Sequence, residues 1–243
     1  MKMLLFAKRC AKEILRDPLN LLFGLGFPIV LLFLLHAIQA NVPVNMFQIE
    51  RLAPGIAVFG LSFMTLFSAT LLAKDRESAF LQRLYTTPLC PPDFILGYLL
   101  PMIPIAIIQS LVCYLLAVPL GLSLHINMLY AMMLKLPVIL FYISLGLLCG
   151  SVFNVKQVGG ICGALLTNVS AWLSGIWFDP ELIGGVFSKI ANFLPFIHAV
   201  ELEKAAVIGD FSLVLPHLYP VLLSAVVITV AAVFLFLRQM KQQ

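Results

Sequence analysis

The residues able to do chemistry are few and grouped. Fifteen Lys/Arg and eleven Asp/Glu serve 243 residues, and the densest group is Lys74, Asp75, Arg76 and Glu77, followed by Arg83 and then Thr87-Pro88. Mixed charges on a short helix-compatible stretch suit docking better than catalysis. Phe80 and Leu84, four residues apart, form an apolar pair that a partner's groove could grip, and the pre-proline geometry at Thr87 ends the helix. The alternative is a solvated loop that merely marks one side of the molecule. A second group, His198, Glu201 and Glu203, has acid–base capacity near the end of the chain. Lys135 stands alone inside an apolar run and is expected to snorkel outward.

Several chemistries are missing. The chain has no G-x-x-x-x-G-K-[ST] phosphate loop, no H-E-x-x-H and no G-x-S-x-G. Its histidines, His36, His125, His198 and His217, are scattered. None of the cysteines, Cys10, Cys90, Cys113, Cys149 and Cys162, forms a C-x-x-C pair, so neither a disulfide framework nor a metal site is expected. The net charge of +4 is too small and dispersed for nucleic acid.

The elements that must carry these residues are membrane helices. The composition is 62% hydrophobic and 11% charged, against about 25% charged for a soluble domain. Lipid must therefore solvate most of the surface. Six spans are expected, over 19–39, 54–73, 94–119, 129–152, 157–178 and 216–237. Pro101, Pro104 and Pro119 predict kinks in the third. With both termini and the 74–93 loop on one side, 11 of the 15 Lys/Arg fall there, and only Arg51, Lys135, Lys189 and Lys204 fall opposite. The positive-inside rule makes the first side cytoplasmic. Scarce ionisable groups within the spans argue against an ion-coupled transporter.

Two segments lie outside the spans. Residues 2–17 form an amphipathic helix, with Lys8, Lys12 and Arg16 on one face and Met3, Ala7, Cys10 and Ile14 on another, expected in the headgroup plane beside anionic lipid. Residues 180–212 are broken by Gly184, Gly185, Pro195 and Gly209 and punctuated by acids. They read as two short re-entrant or interfacial helices, about 182–193 and 196–206. The fold class is thus an all-α membrane protein of one domain, 1–243: interfacial helix 1–18, cytoplasmic loop 74–93 and outer segment 180–212.

The stretch Glu77-Ser-Ala-Phe-Leu-Gln-Arg-Leu-Tyr-Thr-Thr-Pro-Leu, preceded by Lys74-Asp-Arg and followed by Gly97, resembles the first cytoplasmic loop of ABC-transporter permeases of the type-2 exporter class. Leu194-Pro-Phe-Ile-His-Ala-Val-Glu201, with Lys204 and Gly209, resembles the segment before the last span of that class, and Arg16-Asp17-Pro18 the end of its N-terminal helix. Ser78-Ala79 departs from the pattern, which usually has a glycine nearby.

The resemblance implies the non-catalytic membrane subunit of an ATP-driven exporter in a bacterial plasma membrane. ATP and Mg would be held by a separate ATPase, in two copies, docked through Arg76, Glu77, Phe80, Arg83, Leu84, Thr87 and Pro88. A second permease copy would complete a homodimer. Pro195, His198 and Glu201 would belong to an outer gate. The chain itself would bind no cofactor. Phe59, Phe63 and Phe67 form one stripe, and Gly163, Thr167, Ser170 and Ser174 another; together they could line an amphipathic passage for a drug, peptide or lipid-like cargo, or simply pack. Two other classes remain open: a lipid-modifying membrane enzyme using His198, Glu201 and Glu203, or a passive channel or scaffold.

Overall fold

The computed structural model describes residues 2–42, 47–78, 80 and 91–240. Among them no strand occurs. The elements are α1 (Lys2–Leu15), α2 (Pro18–Leu21), a π-helical stretch π1 (Leu22–Gly26), α3 (Phe27–Gln39), α4 (Ile49–Glu77), α5 (Pro91–Ala117), α6 (Asn127–Val152), α7 (Val155–Val158), π2 (Gly159–Leu166), α8 (Thr167–Leu173), α9 (Pro180–Ile183), α10 (Gly185–Phe193), α11 (Pro195–Ile208) and α12 (Phe211–Met240).

Helix α4 is the axis of the bundle. Its 29 residues extend about 43 Å at 1.5 Å per residue, and 21 of them are buried. Small residues make that possible by letting backbones approach. A Cβ on Gly146 of α6 would lie 1.9 Å from Ser68 Oγ and 2.3 Å from the Thr65 carbonyl, and one on Gly150 2.6 Å from the Ala69 carbonyl. Hydroxyls complete the contact: Thr65 donates to the Tyr142 carbonyl (2.9 Å) and Ser68 to that of Ile143 (3.2 Å). Helix α12 closes the other side of α6, with Ser144 and Thr229 hydroxyls 2.8 Å apart.

Five helices among the described residues are long and apolar enough to cross a membrane: Leu22–Gln39, Ile49–Glu77, Asp93–Ala117, Asn127–Val152 and Phe211–Gln239. Each matches an expected span, and Pro101 and Pro104 lie within the third. The expected span at 157–178 is composite. Helices α7, π2 and α8 follow without a break from 155 to 173, but Lys156, Gln157 and Asn168 dilute the apolar character. Thr167 donates to the Cys162 carbonyl five residues back (2.9 Å), consistent with the wider π turn. Gly175, at φ +72°, turns the chain before Trp177 and Phe178. Segment 180–212 is helical in three pieces, with Asp179 capping α9 through the Glu181 N–H (2.9 Å) and left-handed Gly209 closing α11.

Two expectations are corrected. Arg76 and Glu77 belong to the last turn of α4, not to a separate loop helix. Lys135 does not snorkel: it is 0% exposed, because a carboxylate meets it inside the bundle. The expected positions of Arg83, Leu84, Thr87 and Pro88 lie outside the described residues.

Candidate functional site

One end of the bundle is organised by Asp75. The residue is 1% exposed and lies two positions before the end of α4. Both guanidinium nitrogens of Arg9 donate to it, Nη2 to Oδ1 at 2.6 Å and Nη1 to Oδ2. The Tyr98 hydroxyl of α5 donates to Oδ2 at 2.8 Å. Three helices, α1, α4 and α5, thus meet at one carboxylate. Arg9 also pairs with Glu13 (2.6 Å), and its guanidinium carbon lies 4.2 Å from the Phe80 ring centroid. Burial works against the Arg9 charge, but the hydrogen bond and charge of Asp75 outweigh it and hold the guanidinium above its ordinary value. Burial pushes the neighbouring Cys10 thiol up to about 12, so it stays a thiol.

Packing explains why α1 sits there. Phe6, Ala7, Cys10 and Ile14, on one face of α1, are buried in the protein. The Phe6 ring occupies the space a Cβ on Gly97 would need, 2.2 Å away, and meets Tyr98 edge-on at 5.0 Å. The apolar face therefore packs on α5. The outward face holds Leu4, Leu5 and Leu15 beside Lys8, Lys12 and Arg16. Arg76 and Glu77 are tied inward: Arg76 donates to the Phe153 carbonyl (2.8 Å), and Glu77 accepts from the Val155 N–H (2.9 Å). They brace the α6–α7 corner.

Midway along the bundle a cavity of about 290 Å³ is lined by Phe23, Phe27, Phe59, Phe63, Gly163, Thr167, Asn168, Ala171, Trp172 and Trp177. Phe59, Phe63, Gly163 and Thr167 are brought together as the two stripes suggested. Phe67 is not: it packs under Gly24. Ser170 instead bonds the Tyr142 hydroxyl (2.8 Å), and Ser174 donates to the Ala171 carbonyl (2.9 Å). The sequence reading missed Phe23, Phe27, Trp172 and Trp177. Trp172 falls five residues after Thr167, and Phe27 shares a ring contact with Phe63 at 5.8 Å.

At the far end a larger cavity, about 710 Å³, lies between the start of α4 and segment 175–217, with Arg51, Glu181, Glu201, Lys204 and His217 on its wall. His198 and His217 meet through their Nδ1 atoms at 3.0 Å, while His198 Nε2 donates to the Asn192 carbonyl at 2.9 Å. That bond leaves His198 Nδ1 to accept from His217. Glu201 pairs with Lys204 (2.8 Å), and Glu203 pairs with Lys135 (3.2 Å). Each of the three residues offered for lipid chemistry thus has its own partner. Pro195 opens α11 at its first turn. Among the described residues no cluster of three His, Cys, Asp or Glu could hold a metal ion.

The family model for the ABC-2 type transporter matches residues 2–206. The chain belongs to the ABC-2 type transporter family. It is therefore a multi-pass membrane protein and a permease component of an ABC-type transporter. No curated protein matches the permease significantly.

Proposed function

We propose that the permease is the transmembrane half of an ATP-driven exporter for an amphipathic cargo such as a drug, peptide or lipid-like molecule. The Asp75 node carries this reading. It fixes α1 against the base of α4, at the point where the chain enters the 79–90 segment, and so presents α1 and that segment as one handle for an ATPase. Phe80, stacked on Arg9, joins them. Hydrolysis of ATP, with its Mg, takes place on two copies of the ATPase, and a second permease copy completes the membrane unit.

In this reading the composite run 155–173 is a sixth crossing, both termini are cytoplasmic, and segment 180–212 is re-entrant at the outer face of a bacterial plasma membrane. Arg83, Leu84, Thr87 and Pro88 complete the docking loop. The outward cations of α1 lie beside anionic headgroups, which they attract by about 1 kcal/mol each. Phe59, Phe63 and Thr167 line the passage with the other rings of the 290 Å³ cavity. Its aromatic walls carry no Lys, Arg, Asp or Glu, which favours an apolar or amphipathic cargo over a small ion. Pro195, His198 and Glu201 sit at the outer gate.

Co-purification tests the handle. The ATPase subunit should copurify with the wild-type permease and fall by about tenfold or more with Leu84→Ala. Equal recovery with wild type and Leu84→Ala would contradict the docking assignment. Cargo accumulation against a gradient by the permease alone would contradict the whole reading.

A further inference from the structure

Helix α11 has two faces with different neighbours. Ile197, Glu201, Lys204 and Ile208 recur at helical spacing on the wall of the 710 Å³ cavity. Phe196, Val200, Glu203 and Val207, each one position earlier and so about 100° round the helix, are buried. Glu203 is the charged member of that inner face. Its Oε2 accepts from the Tyr114 hydroxyl of α5 at 2.8 Å and pairs with Lys135 Nζ of α6 at 3.2 Å. Lys135 also donates to the Tyr114 oxygen at 3.2 Å and lies 4.4 Å from the ring centroid. Three helices therefore close on one ion pair, and both ions are 0% exposed.

As a source of stability the cluster is poor. Taking two ions from water offsets most of their attraction, and an apolar replacement of similar volume is often neutral or better. The Glu203 carboxylate is also only half used. Its Oε1 is buried and has no hydrogen-bond partner among the described residues. A half-satisfied polar network is worse than an apolar core. What an ion pair does better is hold one register and separate into hydrated groups when water reaches it.

The surroundings suit such a separation. The outer cavity lies along the adjoining face of α11, about 100° round the helix from Glu203. The helix is bracketed by Pro195 and by Gly209 at φ +88°, so it can move as a unit. Where that bracket ends, Gly209 is crowded by the Asn127 side chain at the start of α6.

We propose that Lys135, Glu203 and Tyr114 are positioning residues for transport: a charge-held latch that fixes α11 against α5 and α6 and lets go when the outer side opens. The proposal deepens the permease reading and rests on it for its link to ATP. Two measurements on the full chain test it.

The first is hydrogen exchange of residues 195–208 in the permease alone, in nanodiscs. Lys135→Met with Glu203→Leu, which removes both charges, should keep the wild-type unfolding temperature within a few degrees yet speed exchange about tenfold. The second is ATP hydrolysis by the permease–ATPase complex. The double variant should change its rate about fivefold or more, and the swap Lys135→Glu with Glu203→Lys should restore it. A change in packing alone would not be rescued by reversing the charges.

Wild-type exchange in the double variant overturns the latch, as does altered exchange with unaltered hydrolysis. Failure of wild type to form an ATPase complex would instead sink the permease reading, and the exchange comparison would still decide whether charge holds α11. If the double variant does not fold, Lys135→Gln with Glu203→Gln, which also removes both charges and keeps polar groups of similar size, gives the exchange readout.

Discussion

The two ends of helix α5 solve the same problem with opposite exposure. At the α1 end, the inner one in the proposed orientation, Tyr98 donates to the buried Asp75 and Arg9 supplies the countercharge; at the opposite, outer end Tyr114 donates to the buried Glu203 and Lys135 supplies it. Sixteen residues separate the tyrosines, about 24 Å along a helix. Both tyrosine–carboxylate bonds are 2.8 Å. The cations differ. Arg9 is 33% exposed and engages both carboxylate oxygens, whereas Lys135 is 0% exposed and leaves one oxygen of Glu203 unpartnered. A planar fork at a wet edge makes a durable joint. A point charge in a dry interior makes one that is costly to break halfway and easy to replace entirely.

The comparison can be broken most sharply at Lys135. Lys135→Met leaves a carboxylate buried without its cation, so thermal unfolding in detergent should show a loss of about 3–5 kcal/mol; a loss under about 1 kcal/mol would mean that Glu203 is already neutral or hydrated. Asp75→Asn is the matching change at the inner end. Arg9 can turn to water or to Glu13, so the expected loss is smaller, about 1.5–3 kcal/mol, and limited proteolysis should show α1 released first. Retention of α1 would assign its docking to Phe6 in the Gly97 notch instead of to the ion pair.

The tyrosines test whether the two ends are built alike. Tyr98→Phe and Tyr114→Phe each remove one hydrogen bond to a carboxylate, worth about 1–2 kcal/mol. Tyr114→Phe should cost the more, because Asp75 keeps two bonds from Arg9 whereas Glu203 keeps only Lys135; equal losses would show that the donors left to each carboxylate make no energetic difference. Arg9→Lys keeps the charge and loses the two-pronged geometry, with an expected cost of about 0.5–1 kcal/mol measured by the same unfolding assay. A null result would reduce the inner joint to simple charge attraction.

Local signals in the sequence located most helices and few of their partners. Pro18, Pro195 and Gly209 bracket helices α2, α11 and the turn before α12 through backbone rules that act within a few residues, and runs of about 20 apolar residues mark the five long helices. The run at 155–173 was harder, because Gly159, Gly160 and Asn168 weaken both the helical and the apolar signal. Long-range pairing was out of reach. Glu203 lies 68 residues from Lys135 and Arg9 lies 66 from Asp75, and nothing local says which acid a buried cation will meet. For the same reason Lys135 read as a snorkelling residue. The aromatic cavity was half legible: Phe59 and Phe63 share a stripe with Phe67, but only tertiary packing decides that Phe67 goes beneath Gly24 while Phe23, Phe27 and two tryptophans take its place.

The contrast between a durable inner joint and a releasable outer one has a direct test in the assembled transporter. Hydrogen exchange of residues 2–15 and 195–208 should be followed with and without a non-hydrolysable ATP analogue. Nucleotide should accelerate exchange in 195–208 and leave 2–15 as protected as before. Acceleration in 2–15 with no change in 195–208 would contradict the account.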